Sequence, residues 1–154
     1  MKKHLLLALL PLTALSAQAQ KVAEKQVPAA VVATFKQARP AAKGVKWEKE
    51  DANYEASFKQ GPDEMSMVFA AIGTLLETET GITVAQLPAA VRATLSSRYA
   101  GYKVTEAAKI VAAATGILTY EAEVSKGGKE MDVLFGANGV ELKQAPGDKE
   151  DDKE

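Results

Sequence analysis

The 154-residue chain contains no cysteine and a single histidine, and aromatic residues make up only 6% of it. Without cysteine there can be no disulfide, thiolate metal site, Cys nucleophile or lipid anchor on a leader cysteine. No apolar run reaches the roughly 20 residues that a membrane-spanning helix needs, so no membrane span is expected. The one histidine, His4, lies in residues 1–20, MKKHLLLALLPLTALSAQAQ. There Lys2 and Lys3 form a basic start, Leu5 to Leu15 a short apolar stretch, and Ala17-Gln18-Ala19 a small-x-small cleavage signature. This predicts a signal peptide over 1–19, cleavage near Ala19 and a periplasmic or secreted product beginning at Gln20. That product would carry no histidine, which excludes Ser-His-Asp and Cys-His catalysis. The serines Ser57, Ser66, Ser96, Ser97 and Ser125 are scattered, and none stands in a Gly-x-Ser-x-Gly setting. No catalytic residue, metal or cofactor is expected, and carboxylates alone remain as a catalytic option.

Charge points the same way. Removing Lys2 and Lys3 from the 19 basic side chains leaves 17 against 20 acids, a net charge near −3. The lysines are interspersed with acids, so there is no electrostatic footprint for a nucleic-acid backbone. Asp51-Ala52-Asn53-Tyr54-Glu55 begins like a calcium loop, yet Ala56 stands where an EF-hand needs glycine and Pro62 where it needs the bidentate glutamate. From Gln144 the chain ends in an acidic, apolar-poor stretch expected to be a disordered tail over 144–154.

What the sequence does contain is a tandem repeat. Gln26 to Phe35, QVPAAVVATF, matches Gln86 to Leu95, QLPAAVRATL, at seven of ten positions with a shift of 60. Tyr54 to Glu77 aligns without a gap with Tyr120 to Lys143, ten of 24 identical, with a shift of 66. Six extra residues therefore lie between Tyr99 and Tyr120. Repeats at such a period are units that bury a shared core, here residues 26–79 and 86–143 within one domain over 20–143.

Each copy opens with a helix. Val27, Val31 and Phe35, and then Leu87, Val91 and Leu95, give one apolar stripe per helix. Pro28 and Pro88 suit a first turn, and Pro40 and Gly101 mark the exits. After each helix the period changes to two. Val45 and Trp47, Tyr54, Ala56 and Phe58, then Met65, Met67 and Phe69 form the inward set of the first copy. Tyr120, Ala122, Val124, Met131, Val133 and Phe135 form that of the second, with Val104 to Val111 as its first strand. An Ala52-Asn53 hairpin loop would pair Asp51 with Tyr54, Lys49 with Ala56 and Trp47 with Phe58. Turns are expected at Gly61-Pro62, Gly127-Gly128 and Asn138-Gly139, with a short fourth strand at Thr74 to Glu77. The predicted fold is α+β, two tandem repeats of a helix followed by a four-stranded antiparallel meander, with the helices packed on one face of the sheet.

The other sheet face would carry Glu55, Ser57, Lys59 and Val68 in the first copy and Glu121, Glu123, Asp132 and Leu134 in the second. Val68 and Leu134 occupy equivalent positions and are the apolar anchors that alternation offers. With Glu55, Lys59, Glu121 and Glu123 they are the candidate binding residues. The runs Val27-Pro28-Ala29-Ala30-Val31, Gly44-Val45-Lys46-Trp47-Glu48-Lys49-Glu50 and Asn53-Tyr54-Glu55-Ala56-Ser57-Phe58, with their second-copy counterparts, resemble the PepSY-like, β-lactamase-inhibitor-like family of exported bacterial proteins. That resemblance covers roughly Gln26 to Lys143. It implies tandem helix-plus-sheet units, no catalytic residues, and an exported protein-binding module that partners another envelope or secreted protein, as an inhibitor of a periplasmic or secreted hydrolase would. A small-molecule or envelope-polymer binding protein is the alternative.

Overall fold

The computed structural model describes residues 20–144; the expected signal peptide and the remainder of the acidic tail lie outside them. The chain runs β1 (Gln20–Val22), α1 (Ala29–Ala38), β2 (Lys43–Glu50), β3 (Asn53–Gln60), β4 (Asp63–Ala70) and β5 (Leu75–Gly81). It continues with α2 (Ala89–Arg98), β6 (Lys103–Ala112), β7 (Leu118–Lys126), β8 (Lys129–Gly136) and β9 (Glu141–Gln144). All nine strands form one antiparallel sheet in chain order. The fold is α+β as expected, but the two meanders are not separate units of four. A ninth strand, β1, opens the sheet, and β5 runs on to Gly81 rather than stopping at Glu77. β9 extends through Gln144, the first residue of the expected tail.

The registers explain the count. Gln20 pairs with Lys49 and Lys21 with Glu48; sixty residues later Thr80 pairs with Lys109 and Gly81 with Ala108. Val68 pairs with Glu77 and Phe69 with Leu75 across a bulge, and the same bulge recurs where Leu134 pairs with Lys143 and Phe135 with Glu141. β5 therefore joins the closing strand of the first repeat, the counterpart of β9, to the opening strand of the second, the counterpart of β1. The six extra residues lengthen the β6–β7 hairpin, whose strands meet at Val111 and Leu118. The added length covers the first half of β5: Glu77 pairs with Ala112, Thr78 with Val111, and the Ala113 N–H donates to the Leu76 carbonyl at 2.8 Å.

Local chemistry accounts for the residues the repeats share. Gln26 and Gln86 each end a short 3-10 turn, and their side-chain oxygens accept the Ala23 and Thr83 N–H groups at 2.9 and 2.8 Å. Pro28 and Pro88 cap the helices, their carbonyls accepting Val32 and Arg92 N–H groups. Gly73 and Gly139, at φ 91° and 79°, turn the β4–β5 and β8–β9 hairpins against the helix starts. A Cβ on either would lie 2.9 Å from the Ala30 carbonyl oxygen or 2.5 Å from that of Ala90, so glycine is required twice over.

Each helix buries its stripe on its own repeat. Val31, Phe35, Trp47, Phe58, Met67 and Phe69 form one core, and Leu87, Val91, Leu95, Val124, Val133 and Phe135 the other. The first hairpin is shifted from its expected register. Asp51-Ala52 forms the loop, with Asp51 at φ 52°, so Glu50 pairs with Asn53, Lys49 with Tyr54 and Trp47 with Ala56. Trp47 and Phe58 remain on one face, and Phe35 meets both edge-on at 5.3 and 5.2 Å between ring centres.

Candidate functional site

Because both helices cover one face of the sheet, the alternation of β2–β8 leaves a second face open. Cross-strand registers set out its rows. Glu55 lies beside Val68, which lies beside Glu77 and then Ala112. Ser57 lies beside Ser66, then Glu79, then Ile110. Beyond the seam between repeats, Ala108 leads to Glu121 and Leu134, and Glu106 to Glu123 and Asp132. Bulges between Val104 and Glu106 and at the β4–β5 step bend the strands here.

The result is an open groove of about 270 Å³ where the two repeats meet. Its walls carry Glu55, Glu64, Glu79, Glu106, Glu121, Glu123 and Asp132, together with Ser57, Ser66, Met65, Gly81, Ala107 and Ala108, and no lysine or arginine. Crowding of like charge on a half-buried surface shifts titration. Burial first, then the carboxylates of Glu79, Asp132, Glu77 and Glu55, push Glu121 up to about 8. Burial, then Glu55, Glu77, Asp132 and Glu106, push Glu79 up to about 7. Glu55 is raised by burial, opposed by a hydrogen bond from Ser66. Thr105 donates its hydroxyl to a Glu123 carboxylate oxygen. Among the described residues no three His, Cys, Asp or Glu side chains converge on a common metal position. The carboxylates line the groove as a strip, suited to a cationic segment laid along it rather than to a single ion.

Of the expected binding residues, Glu55, Glu121 and Glu123 meet in this groove. Val68 and Leu134 lie on the same face, half-buried, beside Glu55 and Glu121 and outside the groove walls. Lys59 stands apart at the end of β3, exposed and 2.8 Å from Glu64. Glu79 and Glu106 were not among the candidates. The alternation in Leu75-Leu76-Glu77-Thr78-Glu79 carries the signal for Glu79, which a strand ended at Glu77 leaves out. Glu106 stands at a bulge, where strict alternation fails.

No curated protein matches the chain. A solved structure from Bacteroides eggerthii, described as "putative periplasmic", is 22% identical, with a TM-score of 0.68 over 77% of this chain and 87% of the other. A BLIP-like protein from Bacteroides fragilis is 25% identical, with a TM-score of 0.62 over 82% and 92% of the two chains. The family described as "Putative beta-lactamase-inhibitor-like, PepSY-like" matches twice, at residues 13–77 and 73–143. The overlap falls on the start of β5, the strand the two repeats share, and no helix among the described residues is long and apolar enough to cross a membrane. With both of its repeats matched and its sheet superposable on such proteins, the chain belongs to the PepSY-like, β-lactamase-inhibitor-like family.

Proposed function

We propose that the protein is an exported, non-catalytic binding module whose open sheet face engages a basic segment of another envelope or secreted protein. The observation that carries this reading is the groove at the seam: seven acidic side chains and no lysine or arginine in its walls, one of the seven, Glu64, paired with Lys59 at 2.8 Å at its margin, on the face the helices leave bare. Electrostatic complementarity of this kind favours a positively charged partner and speeds its encounter. Export is supported by the leader-like residues 1–19 and by a structural neighbour described as periplasmic. The family's inhibitor-like description makes a periplasmic or secreted hydrolase the first class of target to test, with the repeats 26–79 and 86–143 each supplying one wall. Val68 and Leu134 would supply apolar contacts beside the charged strip. A small-molecule site is the weaker reading, because an open cavity of about 270 Å³ lies below the roughly 300–1,000 Å³ of enclosed apolar ligand pockets.

The test is capture of partners by the mature protein from its own envelope fraction. It is run in parallel with Glu121→Lys/Asp132→Lys and with Val68→Asp/Leu134→Asp. A partner retained by wild type, released by moderate salt and lost from the first variant by about tenfold or more is the expected outcome. A folded first variant that retains the partner unchanged contradicts the assignment of the face, and turnover of a substrate by the wild type contradicts the non-catalytic reading.

A further inference from the structure

The two repeats treat one edge differently. In the first, the closing half of β5 is covered by a neighbouring strand: the Leu76 carbonyl accepts the Ala113 N–H at 2.8 Å, and Glu77 and Thr78 pair with Ala112 and Val111. In the second, the equivalent residues form β9, which is the edge of the sheet among the described residues. The backbones of the two edges are alike in every feature that sets hydrogen-bond direction. Their registers against β4 and β8 coincide at a shift of 66, bulge included. Their turns are closed by equivalent bonds, Ala70 N–H to Thr74 and Gly136 N–H to Val140, both at 2.9 Å. Side chains report the same difference. Leu76, beside Ala113, is 37% exposed, whereas Leu142 in the equivalent place is 54% exposed.

We infer that the β9 edge is a strand-acceptor site, taking an extended segment of a partner protein antiparallel to Glu141–Gln144 as a tenth strand of the sheet. The first repeat shows what such a segment must look like. Its internal occupant is Val111-Ala112-Ala113, uncharged and either small or β-branched, which lets backbones approach and leaves room for Leu142 and Val140 to close over it. The site is separate from the acidic groove, whose walls run from β3 to β8 and include no residue of β9, so the two readings stand or fall independently.

The probe is a synthetic peptide copying Ala108 to Thr115, Ala-Lys-Ile-Val-Ala-Ala-Ala-Thr, added to the full mature chain. The readouts are residue-level amide exchange and light scattering. The outward amides of β9 should exchange fast in the free chain at every protein concentration and be protected saturably by the peptide. A peptide N-methylated at alternate residues, and the exposed-site variant Leu142→Lys, should each bind about tenfold more weakly with thermal stability unchanged. β9 amides already protected in the free, dilute chain would show that the chain's own tail fills the edge and would overturn the inference. Protection that grows with protein concentration alongside dimer formation would assign the edge to a second copy, with the same consequence. No protection at saturating peptide, or protection of β5 and β6 amides instead of β9, also overturns it.

Discussion

The two repeats share a backbone and little of their interior. Where the first packs Phe35 of α1 on Trp47, Phe58 and Phe69, the second has Leu95 of α2 with Ala107, Val124 and Phe135. Three aromatics have become aliphatic, including a tryptophan replaced by alanine, yet the strand registers repeat residue for residue. What is retained is the turn and cap chemistry: Gln26 and Gln86, Pro28 and Pro88, Gly73 and Gly139. The difference teaches that this fold is specified by hydrogen-bonded caps, close glycine contacts and side-chain parity, and that the core need only be apolar and adequately filled. The open faces diverge as well. Glu55 has Ser57 and Ser66 beside it, whereas Glu121, its counterpart, has Glu123 and Asp132 at the same places. A serine donates a hydrogen bond to Glu55, while burial and then like charges push Glu121 up to about 8.

The largest effect should come from emptying the first core. Trp47 is 4% exposed and lies 6.5 Å from Phe69 as well as against Phe35. Trp47→Ala should cost about 3–5 kcal/mol in denaturant unfolding, even though alanine is the native residue at the equivalent Ala107. A loss below about 1 kcal/mol would show that the first core can adopt the packing of the second.

The glycine contacts come next and test the turn chemistry that both repeats retain. Gly139→Ala should cost about 3 kcal/mol and Gly73→Ala about 2 kcal/mol, since left-handed strain is common to both and the steric contact is tighter at Gly139. Equal, negligible losses by thermal unfolding would remove the glycines from the explanation.

Proton linkage should be smaller and confined to the open face. Glu79 and Glu121 have folded pKa values raised to about 7 and about 8 from 4.5, so the native state binds more protons than the unfolded chain between these limits. The stabilisation they contribute is complete below the unfolded value and is lost as pH rises through the folded values. After discounting for their solvent exposure, stability at pH 5.5 should exceed that at pH 8.5 by about 1–2 kcal/mol. Glu121→Gln should flatten the profile and raise the melting temperature at pH 8.5. Asp132→Ser, which removes one of the like charges that act on Glu121 after burial, should lower its titration in part. A melting temperature that rises between pH 5.5 and 8.5 would show that these carboxylates ionise freely in the fold.

Much of this was legible in the chain. The repeat, both helices, the inward parity of Tyr54 to Phe58 and Met65 to Phe69, and the placing of four groove carboxylates, Glu55, Glu121, Glu123 and Asp132, on the open face follow from apolar period and turn residues. The hairpin register at Asp51 was not, because adjacent dipeptides there suit a two-residue turn and the choice rests on Asp51 adopting φ 52°. Nor was β1: Gln20-Lys21-Val22 is too short to show a period, and its pairing with Trp47 to Lys49 is non-local. The merging of two half-strands into β5, which brings Glu79 into the groove, is a property of two repeats side by side and is not visible in either alone.

The central claim, that the open face and not the helices receives the partner, is tested most directly by carbodiimide labelling of carboxylates in the free protein and in its captured complex. Glu79, Glu121, Glu123 and Asp132 should lose most of their labelling on complex formation, while Glu24, which holds Lys36 beside α1 at 2.6 Å, should label as before. Protection of Glu24 with the four groove carboxylates unchanged would contradict the account.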